Sequence, residues 1–500
     1  MAWLHGWAGV TVGWILYAVF VTGTLSYFRE ELSHWMRPEL SAARMDPDAI
    51  ARGLQILEER APHSPRWLID APEPRRPTLR LGWTRIPEPG KPSNLLRRFE
   101  SIELDPATGD VLHGRQTRGG EFFQRFHSEL SLEPQWGRWL VGACAMVMLV
   151  AILSGLITHR KILQKLFTFR PGRDARAWRE GHNVAGVLAL PFHVMITYTG
   201  LVTLMLMYMP AGVDARYGYN PGEFLTYLMP GSAAAERAGL RAELTAIEPL
   251  LLEASRHWNG ASPASLSIEH PGYAGARIHM RRSDTGRISA NTQTMTFDGA
   301  TGQLLAYTPQ EPPALRTYGV LKGLHLARFA SGDSRWMFAF CGLMGAAMVA
   351  TGLILWSRKR VPASGDSRLW QQGYRVIQVL NVGAIAGIWL GVAAYFLANR
   401  LLAADLAGRA EWEVRCFFIA WALSFVAAGV QGARRAWSTQ FAIAAISFAA
   451  IPIVSAMTTE AHLGNSLGQG LWIYAGVDLT MIGLAGLFAT IAWYASRPSA

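Results

Sequence analysis

Histidine is the residue type of this chain with the most chemistry to offer, because its ring nitrogens can ligate a metal, exchange a proton near neutral pH or bridge two groups by hydrogen bonds. Thirteen occur among 500 residues. Two of them, His182 and His193, lie in HNVAGVLALPFHVMITYTG, residues 182–200, which holds no other acidic or basic side chain. An ionisable group inside hydrocarbon costs free energy unless something satisfies it, so such a residue is a functional candidate by default. The other reactive types offer less. Cys144, Cys341 and Cys416 each lie within or at the edge of an apolar run without metal-ligand spacing, which reads as small buried hydrophobes and leaves no disulfide framework. Asp478, in WIYAGVDLTMIG, is the clearest acid placed well inside an apolar run. It reads as a quinol or proton site, or as a hydrogen bond to a neighbouring helix near the outer surface.

The elements that must position these residues are membrane spans. Half of the residues are hydrophobic and 19 are tryptophan, and the apolar runs are long enough to cross roughly 30 Å of hydrocarbon. The expected fold is a polytopic α-helical membrane protein with about eight transmembrane helices. Spans are expected at 1–28, 137–158, 183–208 and 336–357, with a C-terminal four-helix region at 375–496. The first run is too long for a signal peptide and lacks a basic n-region and a small-residue cleavage site, so it is read as a retained span. Lys and Arg favour the cytoplasm in short connections. HRKILQKLFTFRPGRDARAWR (159–179), SRKRVPASGDSR (357–368) and QGARRAW (431–437) are all basic, which places both termini in the cytoplasm and the long segments 29–136 and 209–335 in the periplasm. These inner loops largely account for the net charge of +11, so membrane topology, and not nucleic-acid binding, explains the basic balance.

The chain also repeats itself. HGWAGVTVGWILYAVFVTG from residue 5 aligns without a gap on HNVAGVLALPFHVMITYTG from residue 182, and RWLVGACAMVMLVAILSGLI (138–157) aligns on RWMFAFCGLMGAAMVATGLI (335–354). DPATGDVL (105–112) recurs as DGATGQLL (298–305), and RFHSEL (125–130) stands where GLHLAR (323–328) stands, with one residue of slippage. The duplicated unit is helix, outer domain, helix. In each outer domain a stretch of helical spacing (46–60, 244–258) precedes strand-like segments, around 67–70, 78–84 and 99–105 in the first and 265–270, 276–282 and 293–298 in the second, so both read as small α+β modules.

Duplication sorts the histidines. His5 and His182 form one matched pair at the cytoplasmic face, His127 and His325 another at the periplasmic face. One imidazole at a helix end is ordinarily an interfacial polar residue, but four at symmetric positions can converge in facing pairs about a pseudo-two-fold axis. Facing imidazoles are the axial ligand set that haem b requires, so two haems are expected, held through His5, His182, His127 and His325. His159 reads as an aromatic-belt residue, a propionate partner or a substitute ligand. His193 lies three turns after His182 on nearly the same face, and reads as an outer-haem ligand, a bundle hydrogen bond or a proton relay. Small residues at Gly9, Gly186, Gly23 and Gly200 fit close approach of a planar group or simple helix packing. No HExxH, P-loop, GxGxxG after a strand or CxxCH is present, so electrons must come from another molecule.

At HGWAGV, TGTLSYFREEL, LDPATGDVL, SGLITHRKI, the 167–201 run and LHLARFA, the sequence resembles the PepSY-associated transmembrane family over about residues 5–360, more specifically in the membrane segments than in the outer domains. Members are similar to bacterial inner-membrane siderophore-iron reductases, in which paired histidines bind b haems. The resemblance implies two periplasmic PepSY-like domains, ligation by His5, His182, His127 and His325, a ferric siderophore or other chelate as substrate, and a quinol or cytoplasmic reductase as electron donor. It also leaves a rival, in which the outer domains bind or restrain a periplasmic peptidase and the helices merely anchor them. A chelate transporter, the third reading, requires broken helices with polar residues near the midplane.

Overall fold

The computed structural model describes residues 2–85, 99–158, 174–218, 239–307 and 312–497, with Gly172 and Phe224. In chain order its elements begin with α1 (Ala2–Ser26), α2 (Arg29–Trp35), α3 (Ala49–Arg60), β1 (Arg66–Asp70), β2 (Leu79–Thr84), β3 (Phe99–Leu104) and β4 (Val111–Leu112). Helices α4 (Glu121–Glu129), α5 (Pro134–Thr158), α6 (Ala175–Leu188), α7 (Leu190–Thr203), α8 (Met205–Tyr208), α9 (Ala211–Tyr217) and α10 (Ile247–His257) follow. Strands β5 (Pro263–Glu269), β6 (Arg277–Arg282), β7 (Thr294–Asp298) and β8 (Leu304–Tyr307) come next. The chain closes with α11 (Pro313–Leu326), α12 (Gly332–Arg358), α13 (Arg368–Ile385), α14 (Gly387–Leu401), α15 (Arg409–Gln431), α16 (Ala433–Thr458), α17 (Leu463–Gly468) and α18 (Trp472–Ser496). Two compact units result, one of Met1–Pro38, Arg115–Leu204 and Ala330–Ala500, the other of Glu39–Gly114 and Met205–Phe329.

The first unit is helical. Among the described residues seven helical segments are long and apolar enough to span a membrane, and α6 with α7 makes an eighth if that bent pair counts as one span. The third run is therefore not the single straight helix that its composition suggests. It turns by 67° between α6 and α7, because Pro191 in the first turn of α7 has no N–H to donate and its ring would strike the carbonyl four residues back. The four C-terminal spans do not stand apart from the duplicated ones. Trp389 Nε1 of α14 donates to the Tyr17 hydroxyl of α1 at 3.0 Å, and Trp14 Nε1 of α1 donates to Asn381 Oδ1 of α13 at 2.8 Å. Trp389, Phe448 and Phe488 continue the same buried cluster, each aromatic burying a large apolar area.

The second unit is built on one antiparallel sheet of eight strands in the order β4-β3-β2-β1-β5-β6-β7-β8. Each sequence module supplies four strands, and they join at the centre, where β1 pairs antiparallel with β5 in the register Arg66↔Glu269 to Asp70↔Ser265. Strict alternation explains why one face is covered. Trp67, Ile69, Leu79, Leu81, Leu266, Ile268, Ile278 and Met280 all point to the side where Leu57 of α3 and Leu250 and Ala254 of α10 close a core. The repeated turn is the same object twice. Asp105 accepts from the amide of Ala107 and Asp298 from those of Ala300 and Thr301, while Gly109 and Gly302 take φ of 80° and 77°, which a side chain would resist. Burial acts to raise the Asp298 carboxyl, yet the Thr301 and Ala300 bonds and the Arg277 guanidinium hold it below the usual carboxylate range.

Joining at β1 and β5 makes a sharp expectation. Leu68 pairs with Ser267, and facing residues of an antiparallel pair have Cα atoms roughly 4.5–5.5 Å apart, within the range of a disulfide. Leu68→Cys with Ser267→Cys should cross-link under mild oxidation, seen as a bridged peptide pair by mass spectrometry. Leu68→Cys with Thr296→Cys, two strands further on, should not.

Candidate functional site

Three of the candidate histidines share one local arrangement. His5 of α1 places Nδ1 2.9 Å from the carbonyl of Ala151 on α5, and a Cβ on Gly155 would lie 3.3 Å from its ring. His182 of α6 places Nδ1 2.8 Å from the carbonyl of Met348 on α12, with Gly352 beneath it, where a Cβ would lie 3.1 Å from the ring. His127 of α4 places Nδ1 2.8 Å from the carbonyl of Val19 on α1, and a Cβ on Gly23 would lie 2.6 Å from that nitrogen. In each case the glycine is four residues after the carbonyl.

The reason is steric. Side chains on a helix lean towards its N-terminus, so residue i+4 covers the carbonyl of residue i. Glycine at i+4 uncovers that oxygen, whose second lone pair can then take a bond from outside the helix. A carbonyl can only accept, so Nδ1 must carry the proton in all three rings, and in the neutral imidazole the lone pair falls on Nε2. His127 as a whole is half-buried, but its ring sits deep among its neighbours. That desolvation pushes its pKa below the ordinary imidazole value, against the pull of the Val19 bond, and so favours the neutral form.

His5 and His182 come together. Their ring centres are 6.1 Å apart with planes at 70°. The 67° bend separates His182 on α6 from His193 on α7, so the same-face relation expected of a continuous helix does not carry across Ala189. His193 is fully buried against Phe20 and Phe192, at 6.1 Å between ring centres in both cases. The backbone carbonyls of Cys341 and Gly186 lie nearby, but neither ring nitrogen makes a hydrogen bond of ordinary geometry. His325 falls in the last turn of α11, in the second unit. There Gly319 and Gly323 seat the helix on residues 288–291, a Cβ at Gly323 meeting the Ile288 carbonyl at 1.6 Å. Helices α4 and α11 both stop at a left-handed residue that is not glycine, Leu130 and Ala327, an uncommon conformation that points to constraint. His159 lies outside the described residues.

The same histidines and turns bear on kinship. The family model of the PepSY-associated TM region matches residues 2–359. The chain belongs to that family. A comparison with curated proteins gives no match. The matched region ends at the start of the connection between α12 and α13, so all four C-terminal spans lie beyond it.

Those spans carry Asp478, which the sequence singled out, and also Asn399, Arg400, Arg409 and Glu413, which sequence patterning passed over. Asp478 is fully buried, and its Oδ1 accepts from Trp35 Nε1 of α2 at 2.9 Å. The Arg400 guanidinium lies 3.7 Å over the same indole and donates to the Trp35 carbonyl and Asn399 Oδ1. Arg409 and Glu413 form an ion pair with no exposure at either side chain. Asn399, Arg400 and Arg409 sit at the ends of apolar runs, where charges read as loop residues; the signal available was the Arg409/Glu413 spacing of four. Gly155 and Gly352 were legible too, as the aligned SGLI and TGLI of the repeat.

Seating a ring on a bare helix predicts selective intolerance within α1. Gly23→Ala pushes a methyl into the His127 ring and should cost about 1–3 kcal/mol, as overpacking does, read as a lowered thermal midpoint in detergent. Gly9→Ala, where nothing lies within 4 Å of the added Cβ, should leave the midpoint unchanged or raise it.

Proposed function

We propose that the protein is a di-haem b electron conduit of the bacterial inner membrane that reduces Fe(III) held by a periplasmic siderophore or similar chelate. The basic connections between spans support cytoplasmic termini and a periplasmic location for the sheet unit. The observation that carries the reading is the His5–His182 pair. Two imidazoles on opposite sides of one metal, each with its nitrogen about 2.0–2.1 Å from it, have ring centres on the order of 6 Å apart, and these rings stand at 6.1 Å. Both have Nδ1 tied to a carbonyl, the outer bond that metal-bound histidines ordinarily make to fix tautomer and orientation. The residues present therefore fit a shared iron, which His5 and His182 would hold through their Nε2 lone pairs.

Haem b, when bound, supplies a one-electron couple whose potential is tuned by its axial ligands and their hydrogen bonds. His5 and His182 would hold one group. The other group would draw its ligands from His127, His325 and His193; the nitrogens of His193 that make no hydrogen bond of ordinary geometry are buried polar atoms that a ligand would satisfy. The carbonyls of Ala151, Met348 and Val19 keep each ring in the Nδ1–H tautomer and raise the basicity of Nε2. The electron donor is a quinol or a cytoplasmic reductase. Reduction of the chelated iron to Fe(II) weakens its hold and releases it.

The test is a dithionite-reduced minus air-oxidised spectrum of the purified protein with a pyridine haemochrome assay, repeated for His5→Ala, His182→Ala, His127→Ala, His193→Ala and His325→Ala. Two b haems per chain are expected. His5→Ala and His182→Ala should lose the same one, and His127→Ala the other together with whichever of His193 and His325 faces it. A colourless protein after haem-replete expression would reject the conduit and favour a membrane-anchored module that restrains a peptidase.

A further inference from the structure

We infer that the C-terminal helices are a latch on α4, and that Tyr395 and Glu413 are positioning residues for His127. The inference rests on the proposed role of His127 as a haem ligand. Helix α4 has two working faces. One presents His127 to Val19 of α1. The other presents Phe122, Phe123 and Phe126, all buried, to Tyr395, Phe396, Phe417 and Trp421 of α14 and α15.

The lead into α4 is held just as closely. The Tyr395 hydroxyl donates to the Gly119 carbonyl at 2.9 Å, Thr117 Oγ1 donates to Glu413 Oε2, and Arg409 Nη1 donates to the Gln116 carbonyl at 2.9 Å. Glu413 is itself fixed by Arg409 and by Asn399 Nδ2 at 2.8 Å. A fully buried ion pair is a poor route to stability, because desolvating both charges offsets most of their attraction. This one holds its geometry by bonding to backbone and side chains of residues 116–117, which is the use such pairs serve when they specify position. The matched helix α11 is seated instead on residues 288–291 of the sheet unit, so the latch belongs to His127 alone of the outer pair. All of its parts except α4 and its lead lie beyond the region matched by the family.

The experiment uses the full chain, comparing wild type with Tyr395→Phe/Glu413→Gln. Gln440→Met serves as control, since it removes a buried bond to the Ser424 carbonyl within the same bundle. Hydrogen exchange of amides 121–129 should speed by about tenfold or more on loss of two buried bonds, with residues 142–150 of α5 unchanged. The low-spin EPR signal and midpoint potential of the haem lost in His127→Ala should shift, while those of the His5–His182 haem stay fixed. Unchanged exchange in α4, or both haem signals moving together as in Gln440→Met, would overturn the latch. If the wild type holds no haem, the electron-transfer reading fails, and exchange in α4 alone then decides whether the helix is latched.

Discussion

The helical unit depends on a hydrogen bond that helices seldom offer, from an imidazole Nδ1–H to a carbonyl already used within its own helix. Leaving both partners unmade in an apolar interior would cost more than the bond contributes, since a buried donor without an acceptor carries its full desolvation penalty. Gly23, Gly155 and Gly352 remove the side chains that would otherwise cover the acceptors. Each of these glycines weakens its helix by about 0.5–1 kcal/mol relative to alanine, and a buried hydrogen bond of typical worth offsets that cost. Both sides of the exchange are local, so the arrangement could be copied with the helix. His5 on Ala151 and His182 on Met348 are two copies of it.

The frame is duplicated, but its two halves are not supported alike. The two sheet modules became one by pairing β1 with β5, which removes two exposed edges that would invite other strands. Helices α4 and α11 kept the histidine and the left-handed stop at Leu130 and Ala327, but their supports diverged. One leans on aromatic residues of α14 and α15, the other on a loop of the sheet unit.

Much of this was legible in the sequence. Period-two alternation in SLSIEH and RIHMRR located β5 and β6, and the recurring Asp-x-x-Thr-Gly located both turns, because their signals lie within a few residues. His5 and His182 were paired by alignment alone. The bend at Ala189 was written in Pro191 but submerged by the apolar run around it, since hydropathy carries no information on direction. Arg409 and Glu413 were hidden for another reason. Charged residues at the edge of an apolar run ordinarily face water, and the partners that turn these inward include residues 116–117, distant in sequence.

The bend also bears on how the helical unit places its histidines. A transporter uses broken helices to expose backbone and polar side chains along a path at the membrane's middle. Here Ala185, Val187 and Ala189 beside the break are buried, while Leu188 is exposed, and the Gly186 carbonyl lies near the His193 ring. What the turn accomplishes is aim. It lets α6 hold His182 against α12 while α7 swings His193 inward against Phe20 of α1, the residue beside the Val19 carbonyl that holds His127. The turn is a fixed feature of the helical unit, because Pro191 denies α7 the backbone bond that would carry α6 straight on through Ala189.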